Sequence, residues 1–191
     1  MLDLRLLGSP GLFRNGEPVR LFKKSLALLT FLSMEQARPH ERVSLSELFW
    51  PDLPKARADN SLRLALHSLR KALDIPNNPS LIFATRTHVA INQDRRLRID
   101  VQGLVHPPAS CPIFHDPENC PFCKDQMVKV ILEIRGPFME GFSLPQCEEF
   151  ENWMTGRREE FQVRVRWSVN RLIRLYEKRG TPQEALAVLS G

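Results

Sequence analysis

Two sets of residues in this chain could do chemistry by their type and spacing. The first is Cys111, His115, Cys120 and Cys123, in the run CPIFHDPENCPFC. Cys-x2-Cys at the start of a helix turns two thiolates toward one point, and a further Cys and His complete a zinc set. Four protein ligands leave no open position, so one Zn2+ held here is structural and not catalytic. Pro112, Pro117 and Pro121 stiffen the loop and lower the entropy of closing it. His106 is a spare ligand and Cys147 a more distant one. Two readings compete with zinc: a redox pair of Cys120 and Cys123, or unrelated reduced thiols. A disulfide is disfavoured in a reducing compartment.

The second set is Arg57, Asn60, Arg63, His67, Arg70 and Lys71. Asn can pair with adenine through two hydrogen bonds, and Arg with guanine, in the DNA major groove. The remaining cations fit phosphates. An ordinary surface helix with a solvated charged face would also use these residues.

One element must position the second set. Ala58, Leu62, Ala65, Leu66, Leu69 and Leu73 recur at steps of three and four, which predicts an amphipathic helix over 56–73. The chain before it opens with Leu2, Leu4 and Leu6 alternating with Asp3 and Arg5, the period of a half-buried strand. Leu12-Phe13-Arg14 and Pro18-Val19-Arg20-Leu21 flank Asn15-Gly16, which supplies the positive φ of a tight hairpin turn. Helices follow over 24–34 and 44–50, the second with Ser44 and Glu47 spaced as a capping box. After 56–73, prolines stop the helix. Leu81–Thr85 and His88–Ile91 then read as two strands with Thr85-Arg86-Thr87 at their tip. Sheet, three helices and hairpin, in that order, is a winged helix-turn-helix of the OmpR/PhoB-like kind. Its wing would bring Arg86 and His88 to the backbone or minor groove. Lys23 and Lys24 would add phosphate contacts from the start of the first helix.

Charge placement agrees with that reading. The net charge is +5 over 191 residues, and the basic excess lies in residues 1–105, which implies a polyanion partner for that half. No run of about 18 apolar residues predicts a membrane span. MLDLRLLGSPG lacks the apolar stretch of a secretory signal, so a cytoplasmic protein is expected. There is no Gly-rich phosphate loop, HExxH or GxSxG, so no enzyme is expected. A metal-dependent enzyme would need an open zinc position and a nearby general base.

The second half is mostly helical, with helices predicted over 126–135 and 148–179 and another beginning after Gly180-Thr181-Pro182. Apolar residues such as Trp153 and Phe161 sit at helical spacing and are expected in a core. The Gly-x-Pro turn followed by EALAVL suggests tetratricopeptide-like packing. The expected organisation is therefore an α+β winged-helix domain over 1–100. An all-α domain follows over 101–191, with the Cys/His loop at 106–123, and its last repeat is incomplete.

Particular segments carry a family resemblance. LLGSPGLFRNGEPVRL, LFWPD, ARADNSLRLALHSLRKAL and IDV resemble the Streptomyces antibiotic regulatory protein family. PFMEGFSL, EFENWMTGRREEF and RGTPQEALAVL resemble the bacterial transcriptional activator domain that follows the winged helix there. The resemblance implies an activator on double-stranded promoter DNA, with RNA polymerase as a partner and a helical half that supports a homodimer. Arg63 and Arg70 match the two arginines of the repeated LR pattern. Leu64 departs, because a polar residue is expected on the DNA side. It implies contact with a thymine methyl or a weaker readout. The competing function is a protein–protein adaptor: a degenerate winged helix with a structural zinc loop.

Overall fold

The computed structural model describes residues 1–36, 38–74, 78–92, 97–105, 128–178 and 180–190. The chain divides into two compact units that interleave in sequence. The first holds Met1–Leu4, Gly11–Arg98 and Phe142–Met154, and the second Arg5–Pro10, Ile99–Gly141 and Thr155–Gly191.

Three strands open the chain: β1 (Leu2–Arg5), β2 (Gly11–Arg14) and β3 (Glu17–Val19). Leu2 and Leu4 are buried while Asp3 and Arg5 are half-buried, as the alternation requires. Arg14 pairs with Glu17 across a two-residue loop, and Asn15 and Gly16 both take positive φ, 53° and 90°. That is the expected primed turn. Strand β7 (Leu97–Ile99) completes a four-stranded sheet of order β3-β2-β1-β7.

Helices α1 (Lys23–Met34), α2 (Arg42–Phe49) and α3 (Lys55–Leu73) follow, with β4 (His40–Glu41) before α2. Strands β5 (Ile82–Ala84) and β6 (His88–Ile91) come next, and the second sheet has the order β4-β6-β5. The three helices enclose Leu28, Leu29, Leu32, Leu45, Phe49, Leu62, Leu66 and Leu69, all buried. The expected capping box is corrected here. Helix α2 starts at Arg42, and its N-cap Glu41 makes no side-chain cap. The reason is β4: pairing of His40 with Val89 and Glu41 with His88 fixes the chain up to Arg42, whose N–H donates to Thr87 O at 2.8 Å. Ser44 therefore falls inside the helix.

An aromatic cluster extends the first unit's core. Phe49 lies 5.2 Å from Phe150, and Trp153 lies 5.1 Å from Phe31 and 5.3 Å from Phe150 between ring centroids. Trp153 Nε1 donates to Glu35 at 2.8 Å. Trp153 is thus a packing residue, as its helical spacing predicts.

The second unit holds α4 (Gln102–Val105), α5 (residues 128–132), α6 (Glu148–Lys178, shared with the first unit) and α7 (Pro182–Ser190). Helix α5 stops before the expected residue 135. Gly136-Pro137 cannot continue a helix, and Arg135 turns to Asp100 instead, at 2.5 Å. Asp100, almost fully buried, accepts the Leu6 N–H at 2.9 Å and the Leu7 N–H at 3.0 Å. Burial pushes its carboxyl above the ordinary value, against the lowering pull of those two N–H groups and Arg135. Gly180, at φ 72°, turns the chain from α6 into α7. Ile131, Leu172, Leu175, Tyr176 and Ala185 form one buried cluster there. No helix among the described residues is long and apolar enough to cross a membrane.

Candidate nucleic-acid interface

Helix α3 separates its side chains by face. Ala58, Leu62, Ala65, Leu66, Leu69 and Leu73 are buried. Arg57, Asn60, Arg63, Leu64, His67 and Lys71 are exposed, and Arg70 is half-buried. The helix end is held from both sides. Arg14 Nη2 donates to Ala72 O at 2.6 Å, and Asp74 accepts the Ser80 hydroxyl at 2.9 Å and the Leu81 N–H at 3.3 Å. Terminal carbonyls favour nearby cations, which Arg14, Arg70 and Lys71 supply. These bonds fix where β5 leaves α3, and so where the hairpin stands beside the helix.

The arginines of α3 are not equivalent. Arg63 Nη2 donates to Asn60 Oδ1 at 2.8 Å on the open surface, which pre-orients both side chains. Arg70 instead points toward the hairpin and donates to Ile82 O at 3.3 Å, with its Nε buried and without a partner among the described residues. The side chains of Arg57, His67, Lys71 and Arg86 have no hydrogen-bond or ion-pair partner among the described residues.

The hairpin tip is a tight turn. Thr85 N–H donates to His88 O at 2.8 Å, and Thr85 Oγ1 accepts the His88 N–H at 3.0 Å. That closure leaves Arg86 at the exposed apex. His88 is half-buried, with Nδ1 2.9 Å from Thr87 Oγ1.

Between helix and hairpin lies a concavity of about 350 Å³ lined by Arg42, Arg63, Leu64, Leu66, His67, Arg70 and Ala84. Four basic-type side chains converge there, and no carboxylate among the described residues lines it. Arg42 is the member that sequence reasoning missed. It reaches the site because two-residue β4 pairs with β6, and a strand that short leaves no periodicity to read.

The lysines of α1 divide. Lys24 Nζ donates to Phe49 O at 2.6 Å and lies 5.5 Å from the Trp50 ring centroid. Lys23 is exposed, 5.4 Å from the Phe142 ring. Cys147 is fully buried and its thiol also donates to Phe49 O, at 3.3 Å. Burial pushes that thiol up, against the pull of Lys24. The metal-ligand set Cys111, His115, Cys120 and Cys123, and the spare His106, lie outside the described residues.

The fold is similar to that of Mycobacterium tuberculosis EmbR, solved in complex with low-affinity phosphopeptide, with a TM-score of 0.60 and 17% identity. The match covers 98% of this chain and 57% of that one, so the chain spans little more than half the length of EmbR. At that identity the likeness is one of fold. No protein-family model matches the chain, and no curated protein does.

Proposed function

We propose that the protein is a sequence-specific DNA-binding transcription regulator, an activator, that reads the major groove with α3. One observation carries this reading: the outward face of α3 holds exposed cations without internal partners, beside a hairpin that presents Arg86 at its apex. Arg63 and Asn60 have the hydrogen-bonding shapes that read bases, while Arg57, Lys71 and Arg86 suit phosphates. Residues 1–100 would carry this binding. The likeness in fold to EmbR supports the architecture. RNA polymerase as a second partner and a homodimer are carried by the family resemblance, and an α6–α7 hairpin that opens a tetratricopeptide-like array by the Gly-x-Pro turn before EALAVL; a cytoplasmic location belongs to the same proposal. One Zn2+ on Cys111, His115, Cys120 and Cys123 rests on their spacing, and zinc content per chain tests it.

The function test is a salt titration with duplex DNA enriched from a random library. Each phosphate neutralised adds about 0.9 to the negative slope of log K against log salt. A steep slope that becomes shallower by roughly one in Arg57→Ala or Arg86→Ala supports the reading. A flat salt dependence overturns it in favour of the adaptor, which the exposed Phe22 and Leu64, 78% and 57% accessible, would then serve.

A further inference from the structure

Leu64 is the one large apolar side chain on an otherwise polar outward face. At 100° per residue it stands almost opposite Leu62, whose side chain is fully buried. Its neighbours one turn away on that face are Asn60, Ser61, His67 and Ser68, with Arg57 and Lys71 one turn further. It is also the ridge between two hollows. One is the basic concavity beside the hairpin. The other, about 410 Å³, is lined by Phe22, Lys23, Lys24, Trp50, Ser61 and Ser68 among others. An apolar knob at the crest of a cationic helix meets whatever lies deepest in the groove the helix enters. The thymine C5-methyl is the apolar group that base pairs present at the major-groove edge.

We infer that Leu64 is a specificity-determining residue that selects a T·A pair by packing on the thymine methyl. The inference rests on the proposed DNA-binding function and deepens it. The Arg63–Asn60 pair, from the preceding residue and from one turn toward the N-terminus, is held ready to read an adjacent base by hydrogen bonds. The surrounding charge favours a nucleic acid over an apolar protein partner, because the side chains flanking Leu64 on this face are neutral or basic.

The test replaces each thymine of the enriched duplex, one at a time, by deoxyuridine. This removes the methyl and leaves the hydrogen-bonding edge intact. One position should weaken wild-type binding about three- to fivefold, the worth of one buried methyl. In Leu64→Ala that position should become indifferent to the methyl, while the salt slope stays as in wild type. Thermal melting should be unchanged, since the side chain is exposed. A flat deoxyuridine scan, or the same loss in Leu64→Ala as in wild type, overturns the assignment while leaving DNA binding intact. Absence of salt-dependent binding to any duplex would overturn the parent reading as well, and is told apart by the titration alone.

Discussion

Arg57 and Arg63 of α3 and Arg157, Arg158 and Arg164 of the second unit have opposite fates. On α3, the Arg57 side chain has no partner among the described residues and that of Arg63 only the exposed Asn60. In the second unit, Arg158 donates to Phe138 O at 3.0 Å and Met139 O at 2.9 Å. Arg164 reaches Leu104 O at 3.1 Å and Glu160 at 2.8 Å, and Arg157 reaches Glu160 at 2.6 Å. The difference teaches that internal pairing, more than the count of cations, separates a ligand face from a structural one. An arginine that satisfies loop carbonyls is part of the fold. One that has no internal acceptor is available to an anion.

The largest effect is expected where the second region's pairing is deepest. Asp100→Ala leaves the buried Leu6 and Leu7 N–H groups and Arg135 without their acceptor. The expected loss of stability is about 3 kcal/mol, read by denaturant unfolding. A loss under about 0.5 kcal/mol, the level of an ordinary surface change, would break the comparison at its structural end.

Next come mirror-image substitutions. Arg63→Ala should weaken DNA binding by roughly 1–3 kcal/mol and leave stability nearly unchanged. Arg164→Ala should do the reverse, at about 1–2 kcal/mol of stability, since Leu104 O loses the Arg164 donor and Glu160 keeps only Arg157. Measured affinities and melts that swap these signs would show that pairing does not mark function.

The helical periodicity of α3 and the Asn-Gly turn were legible because both are local. The Leu positions of α3 define its buried stripe, and Asn15-Gly16 sets the hairpin register. The site was legible where it lies on that helix. Arg42 was not, because two residues of β4 bring it to the hairpin. Nor was the redirection of Arg70 toward Ile82 O, since the LR repeat says nothing of the strand that would stand beside it. Nor, within the second unit, was the capping of Leu6 and Leu7 by Asp100, a bond across more than ninety residues with no local pattern behind it.

The smallest effect concerns acid. Burial alone would raise the Glu160 carboxyl, but Arg157 and Arg164 outweigh it and hold the group below its ordinary value of 4.5. A carboxylate depressed in the folded state stabilises fully above the unfolded value, and that contribution fades as pH falls through the folded one. Asp100 bends the curve the other way. Its carboxyl is raised above 3.8, so the folded chain takes up a proton first and stability declines as pH climbs through that window. The two terms overlap in wild type, and a single acid titration cannot separate them. Glu160→Gln removes the first and keeps the second. Its stability relative to wild type should therefore improve as pH drops below about 4.5, the unperturbed glutamate range. A pH-independent difference between the two proteins would show that Glu160 is not the acceptor that keeps Arg157 and Arg164 bound to their own unit.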